Sequence, residues 1–404
     1  MKDILIIAHF TQVPGELGNG RFHYIAEKID KINSRVEVVT TSFSHRTKSQ
    51  RKVTDEQLKS INYQLTMLKE PGYRKNVSVK RFFSHYMFGR SLKQFLKTRK
   101  KPDVIYCSVP SLDAAKIAAD YAKEKNIHFI IDIQDLWPEA FRMIFNIPLI
   151  SDASFYPMKN KANYIYSIAD NIISVSQTYA DRALMVNKKC NTAQSIFLGT
   201  DLAYFDTLFV QNKLIRKQIG ELWIVYIGTL GYSYDIYSVI DALRILKDKG
   251  FNNIKFLVMG DGPLRDKFEK YAQEKKINTE FTGRLDYNKM IGYLKSCDIA
   301  VNPIKAGSAG SIINKVGDYA AAGLPVLNMQ DSPEYRELVD SYQIGLNCEN
   351  GNAQDLAKKI LKLINKNELR FVMGENNRKL AEEKFDRNKT YQEIIEMIDI
   401  NASN

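Results

Sequence analysis

The sequence predicts an α/β fold of two doubly wound, Rossmann-like domains facing a central cleft. Three observations predict it. Short apolar runs alternate with amphipathic helical stretches in both halves, as parallel sheets covered on both faces require. A glycine-bearing loop follows the first strand of each half, Pro14–Gly20 and then Gly228. The alternation breaks at about 200–218, where a polar helical stretch runs to Gly220 before a new strand begins. A length of 404 residues accommodates this, since domains run to roughly 100–200 residues each.

In the first half, strands are predicted at Ile4–Ala8, Val36–Thr41, Val104–Ser108, His128–Ile133 and Asn171–Val175, with helices at Arg21–Ile32 and Asp113–Lys125. Loops at the carboxyl ends of such strands line the ligand crevice of an open sheet. That places the glycine loop, with Gly18, Asn19 and Gly20, at an acceptor position, and His9 at the end of the first strand, pointing into the crevice as a catalytic candidate, with a structural histidine as the plainer alternative. The loop is not GxGxxG, so a dinucleotide site is poorly supported. The stretch IDIQDLWPEA leaves a strand and brings Asp132, Asp135, Trp137 and Glu139 close together. Asp132 belongs to the strand itself. Asp135 and Glu139 are the candidates for proton transfer or binding, with an N-capping Asp and a packed Trp as the plainer alternative.

Residues 71–102 hold ten Lys/Arg and no acidic residue, interleaved with Phe82, Phe83, Tyr86, Phe88, Leu92 and Phe95. A basic amphipathic helix of this kind suits an anionic bilayer surface, with Arg74, Lys75, Lys80, Arg81, Phe82 and Phe83 as the contact residues. The aromatic face can equally pack on the sheet. No helix-turn-helix, finger or RNA-binding aromatic motif accompanies the charge, so nucleic acid is not the expected partner.

The second half repeats the alternation: strands at Leu222–Ile227, Ile254–Met259, Thr279–Thr282, Asp298–Val301, Pro325–Met329 and Gln343–Cys348, separated by helical patterns. Gly260-Asp261-Gly262-Pro263 is a tight turn opening a helix. The stretch Ala306–Val326 organises this half: a small-residue loop, a short helix and a Gly323/Pro325 exit. Ser308 or Ser311 could cap the helix, and Lys315 and Asp318 share one of its faces. The loop would cradle phosphate, Lys315 would supply a cation, and Asp318 would accept hydroxyl hydrogen bonds. The plainer alternative is a buried helix with a flexible entry loop.

Composition sets the outer limits. Hydrophobic residues make up 45% and charged residues 26%, ordinary for a globular protein. The charge of +12 is lopsided: residues 1–205 carry 30 Lys+Arg and 19 Asp+Glu, against 28 and 27 in the remainder. The basic half therefore needs an anionic partner. Cys107, Cys190, Cys297 and Cys348 are scattered, which indicates neither a disulfide framework nor a zinc site and suits a reducing cytosol. Asp132 and Asp135 are wrongly spaced for a DxD metal motif, so no metal or other cofactor is expected. The amino-terminal run MKDILIIAHF reads as a strand, too short for a signal peptide or membrane span.

Several of these motifs, in this order, resemble family 4 of the retaining nucleotide-sugar glycosyltransferases, which have the GT-B fold. They are ADNIISVSQTYADRAL (169–184), FLGTDLAYF (197–205), VYIGTLG (225–231), VMGDGPLRDKFE (258–269), FTGRLDYNKM (281–290), CDIAVNPI (297–304) and NKVGDYAAAGLPVL (314–327). DLWPEA at 135–140 is similar to a subgroup building bacterial capsule, O-antigen and related surface polysaccharides. The resemblance implies an acceptor-binding domain over 1–200, with 386–404 packing back on it, and a donor-binding domain over 201–385. It implies metal-independent transfer of a hexose or N-acetylamino sugar, from a donor expected to be UDP-linked, to a polyprenyl-diphosphate-linked glycan. That places the protein peripherally on the inner face of a bacterial plasma membrane, with other polysaccharide-synthesis enzymes as possible partners.

Residue by residue, Asp318 falls where a carboxylate holds the nucleotide ribose, and Gly310 where the first Glu of an E-x7-E motif would contact the donor sugar. Thr229, after Gly228, and Tyr232 and Ser233 stand where the family has its Arg and Lys. Lys315 and Arg284 are then the cations available to the diphosphate, and backbone N–H groups, Ser308 and Ser311 its remaining contacts. A nucleotide-sugar 2-epimerase of the same fold, or a degenerate GT-B protein that binds nucleotide sugar or a partner transferase, are the alternatives.

Overall fold

In a computed structural model the chain forms two compact units, Met1–Phe197 with Tyr391–Asn404, and Leu198–Thr390. The structure describes every residue except 17–19, 77, 143–147, 216, 309–311, 313 and 403–404, together with the side chains of 142 and 148–154.

The first unit is built on seven strands: β1 (Lys2–Ile7), β2 (Ser34–Thr41), β3 (Gln64–Leu68), β4 (Val104–Val109), β5 (His128–Ile133), β6 (Asn171–Ser174) and β7 (Gln194–Ser195). Their order is β3-β2-β1-β4-β5-β6-β7, and every pairing is parallel. Because both faces are covered, β1, β4 and β5 are apolar along nearly their whole length. The edge strand β3 escaped the sequence reading, since QLTML is only half-buried. The helix Arg387–Asn401 delivers Tyr391, Ile394, Ile395 and Ile398 into this unit's core, beside Ile4, Ile6, Val36 and Val38.

The basic segment becomes one helix, Val79–Thr98. Ser78 caps it through the Arg81 N–H. Arg81, Ser84, His85, Phe88, Leu92 and Leu96 recur at helical spacing and form its buried stripe. The opposite face is exposed and basic. At its carboxyl end Arg99 spans Asp3 and Glu37, at 2.5 and 2.8 Å, and so ties the helix to β1 and β2.

The second unit has β8 (Leu222–Ile227), β9 (Ile254–Met259), β10 (Thr279–Gly283), β11 (Ile299–Asn302), β12 (Val326–Asn328) and β13 (Gly345–Asn347). The order is β10-β9-β8-β11-β12-β13, again all parallel. Its core gathers Ile224, Tyr226, Phe256, Val258 and Ile299 from the sheet with Val239, Leu243, Phe268 and Ile360 from the covering helices.

Counted within each unit, the second sheet runs 3-2-1-4-5-6 and the first runs 3-2-1-4-5-6-7. Strand order therefore reverses between the first and fourth strands, where an open sheet leaves a crevice at its carboxyl edge. The residues following β1 and β4 in one unit, and β8 and β11 in the other, are where ligands would be met.

Candidate functional site

In the second unit, the loops after β8, β9 and β10 line a groove of about 610 Å3, walled by Gly228, Thr229, Gly260–Gly262, Arg284, Leu285 and Met290. Two glycine turns make its floor. Gly228 N–H donates to Met259 O, and Leu230 N–H to Asp261 O. A Cβ on Gly260 would stand 1.8 Å from Gly228 O, and one on Gly262 2.4 Å from Leu230 O. Only glycine allows these turns to close. Thr229 and Arg284 are exposed along the groove.

Lys315, the first residue of the helix Lys315–Ala321, is 8% exposed. Its Nζ lies 4.1 Å from the Tyr226 ring centre and 4.0 Å from that of Tyr234. Among the described residues it has no hydrogen-bond partner. A Cβ at Gly228 would be 3.1 Å from it, so the amine reaches the loop that borders the groove. Burial alone holds this amine well below the usual lysine range. Three residues on, Asp318 accepts a hydrogen bond from Tyr287 Oη at 2.9 Å. Burial raises its carboxyl to about 6, against the opposing pull of Tyr287 and Arg387. Tyr287, which sequence reasoning missed, is thus the partner that orients Asp318; the only hint was its place in FTGRLDYNKM.

Ser308 is not a helix cap. Its N–H closes a turn onto Lys305 O, and the helix begins only after Asn314. Gly310 and Ser311 lie outside the described residues, as do Gly18 and Asn19 of the first-unit loop. Gly20, at φ +64°, ends that loop; its N–H donates to Gln12, and the helix Arg21–Lys28 starts after it.

The first unit's crevice holds His9, after β1, and Ser111, after β4. They are bonded to each other, Nδ1 to Oγ, at 2.7 Å. His9 Nε2 meets Glu70 Oε2 at 2.8 Å, and the ring is stacked between Phe10 and Phe88. With 1% exposure and both nitrogens engaged, His9 has none to offer a substrate. The sequence-based catalytic assignment is therefore corrected to a positioning role. Burial would raise the Glu70 carboxyl, but bonds from His9 and Ser84 leave it below its ordinary value. Neither Glu70 nor Ser111 stands out in sequence, because each lies far from His9 along the chain.

Asp132 belongs to β5, where it pairs with buried Arg21 at 2.7 Å. Glu139 is held by Arg182 at 2.7 Å. Asp135 differs: burial pushes its carboxyl up, and bonds from Trp137 Nε1 at 3.1 Å and Tyr179 Oη at 3.5 Å offset this only in part. Asp135 therefore has an environment suited to taking and releasing a proton.

The expected membrane contacts divide. Arg74, Lys75, Lys80, Phe82 and Phe83 are exposed. Arg81 is not: at 9% exposure it sits in the helix's buried stripe, its guanidinium 4.7 Å from the centre of the Trp137 ring. It is removed from the surface set. Among the described residues no group of three or more His, Cys, Asp or Glu side chains is placed to hold a metal. None of the described helices is long and apolar enough to cross a membrane.

Residues 212–380 match the family model Glycosyl transferases group 1. The match lies within the second unit and takes in every groove residue named above. An uncharacterized glycosyltransferase of Methanocaldococcus jannaschii is 29% identical over 57% of this chain and 61% of its own length. A capsular polysaccharide biosynthesis glycosyltransferase of Staphylococcus aureus, CapM, is 23% identical over 57% and 61%. The chain thus spans about three-fifths of the length of these relatives. Among solved structures, Anabaena HepE in complex with UDP-glucose superposes with a TM-score of 0.69 at 15% identity, covering 99% of this chain and 100% of that one. The fold is GT-B: two Rossmann-like α/β domains with parallel sheets.

Proposed function

We propose that this protein is a retaining glycosyltransferase, metal-independent and of family 4. It would move a hexose or N-acetylamino sugar from a UDP-linked donor to a polyprenyl-diphosphate-linked glycan in bacterial surface-polysaccharide synthesis. The observation that carries this reading is Lys315: a buried amine with no hydrogen-bond partner among the described residues, at the mouth of the Gly228 loop and inside the group 1 match. A buried amine without a counter-charge is costly, and a diphosphate would supply one. CapM supports the surface-polysaccharide setting, and the UDP-glucose complex of HepE supports the donor class.

In this mechanism the groove takes the nucleotide and Asp318, oriented by Tyr287, accepts from the ribose hydroxyls. Lys315 and Arg284 neutralise the diphosphate as the sugar C1–O bond breaks. The acceptor hydroxyl attacks C1 on the face from which UDP departs, and its proton passes to the leaving phosphate oxygen, so configuration is retained. Asp135 orients the acceptor hydroxyl from the first unit. The exposed Val79, Phe82, Phe83 and Tyr86, beside Lys80, would seat the first unit on an anionic bilayer, where the acceptor resides.

A thermal-shift screen over UDP-, GDP-, dTDP- and ADP-sugars tests the donor assignment. A ligand that binds only the folded state at a hundredfold excess over its Kd adds about 2.7 kcal/mol. UDP-sugars are expected to raise Tm, and Lys315→Ala to cancel the rise. A screen in which no nucleotide sugar raises Tm overturns the donor assignment.

A further inference from the structure

Two cations in the first unit have no carboxylate of their own. Arg81 lies over the Trp137 ring and 5.7 Å from the centre of the Tyr73 ring. One of its N–H groups donates to Asn76 O at 2.8 Å and the guanidinium also bonds to the Tyr73 hydroxyl, while among the described residues its buried Nε has no partner. Lys48 Nζ lies 4.8 Å from the same Tyr73 ring and, among the described residues, bonds only to neutral groups, the Asn76 side chain and His45 Nδ1. Among the described residues neither cation makes an ion pair. The nearby carboxylates are committed: Glu70 to His9 and Ser84, Asp135 to Trp137 and Tyr179. His85, stacked on Trp137, adds a second buried nitrogen, Nε2, without a partner among the described residues.

The cations also disfavour each other. Burial first, and then the charge of Arg81, bring the Lys48 amine down to about 8. Two like charges on one aromatic wall, one of them nine-tenths buried, are stabilised by an anion arriving between them. A guanidinium with an unused N–H matches phosphoryl oxygens in geometry as well as in charge.

We propose that Arg81 and Lys48 form a phosphoryl-binding subsite, separate from the donor groove, that holds the phosphate group of the acceptor. The acceptor as the source of that phosphate rests on the reading above; the subsite itself does not. Phe82 packs on Phe141, which packs in turn on the Trp137 ring beneath Arg81, so an apolar chain attached to the phosphate would meet aromatic surface. Asp135 feels the charge of Arg81, which puts the subsite near the residue assigned to the acceptor hydroxyl.

The test is calorimetric titration of the full chain with inorganic pyrophosphate and with geranyl diphosphate, with UDP titrated in parallel. Both diphosphates are expected to bind a Lys315→Met variant, in which the groove cation is gone. Arg81→Gln and Lys48→Ala should each weaken that binding about tenfold or more and leave UDP binding unchanged. Arg81→Lys should recover part of it, which a purely structural arginine would not do. If Arg81→Gln fails to fold, Lys48→Ala decides alone, since its side chain is partly exposed. Tighter binding of geranyl diphosphate than of pyrophosphate assigns the site to a lipid-linked phosphate, and equal binding assigns it to a soluble one. Diphosphate binding that survives Arg81→Gln and Lys48→Ala, or that vanishes with Lys315→Met, overturns the subsite. A protein that binds diphosphates through Arg81 but never binds UDP would keep the subsite and remove the donor assignment.

Discussion

At the scale of single residues, Lys315 and Asp318 carry opposite pH signatures. The Lys315 amine sits below its ordinary 10.5 when folded, so the unfolded chain binds more protons over the interval between the two values. Stability must then rise with pH across that interval. Against a Lys315→Met variant, the wild type is expected to be the less stable protein below it, with the deficit closing as pH approaches 10.5. Denaturant melts of both proteins at several pH values check this, and a constant difference would contradict it. The same variant should lose nucleotide-sugar binding, so stability and function move in opposite directions.

Asp318, raised from 3.8 to about 6, has the reverse sign. The folded state holds the extra proton, and stability falls as pH rises from about 4 to 6. Only the carboxylate accepts two ribose hydroxyl bonds, so nucleotide affinity should fall as pH drops below about 6. Asp318→Asn should flatten that dependence in binding measured from pH 5 to 8. The positions of Lys315 and Asp318 were legible in their three-residue spacing. Their partners were not: Tyr226, Tyr234 and Tyr287 come from other elements, and no local pattern marks a tyrosine that will box a cation or orient a carboxylate.

At the scale of elements, the paired glycine turns are the most sensitive feature of the groove. Gly260→Ala places a methyl on Gly228 O, a backbone atom that cannot step aside. It should cost about 1–3 kcal/mol, as overpacking does, and distort the loop bearing Lys315's neighbour Gly228. Denaturant unfolding and nucleotide binding together check this; a fully stable Gly260→Ala with normal binding would contradict it. The Val79–Thr98 helix offers a contrasting case. Its strands and neighbours were readable from alternation, because parallel strands buried on both faces leave continuous apolar runs. Arg81 was misplaced because charge was weighed above periodicity: it stands three, four and seven residues before Ser84, His85 and Phe88, in step with the buried stripe. Neutralising Arg74, Lys75 and Lys80, without Arg81, should weaken binding to anionic vesicles by about 1 kcal/mol per residue. Unchanged vesicle sedimentation would remove the membrane assignment.

At the scale of the molecule, the two sheets share one strand order over their first six strands, and each presents its polar chemistry where that order reverses. In the first unit this is His9 with Ser111, backed by Glu70; in the second it is the Gly228 loop with Lys315. The repeat of architecture was legible from the doubled alternation of strands and helices, with a break near residue 200. The contents of the first crevice were not, since His9, Glu70 and Ser111 converge from separate connections and Arg81 arrives from the side. The proposed division of labour, acceptor on the first unit and donor on the second, draws on where the cations without an ion pair among the described residues lie and on the group 1 match over 212–380. The most direct test is to incubate the full chain with a UDP-sugar and a polyprenyl-diphosphate-linked saccharide, with chelator present, and to follow both substrates by mass spectrometry. The expected result is an acceptor heavier by one sugar residue with release of one UDP, abolished by Lys315→Ala. An unchanged acceptor, with the donor either intact or converted to its epimer, would contradict transfer.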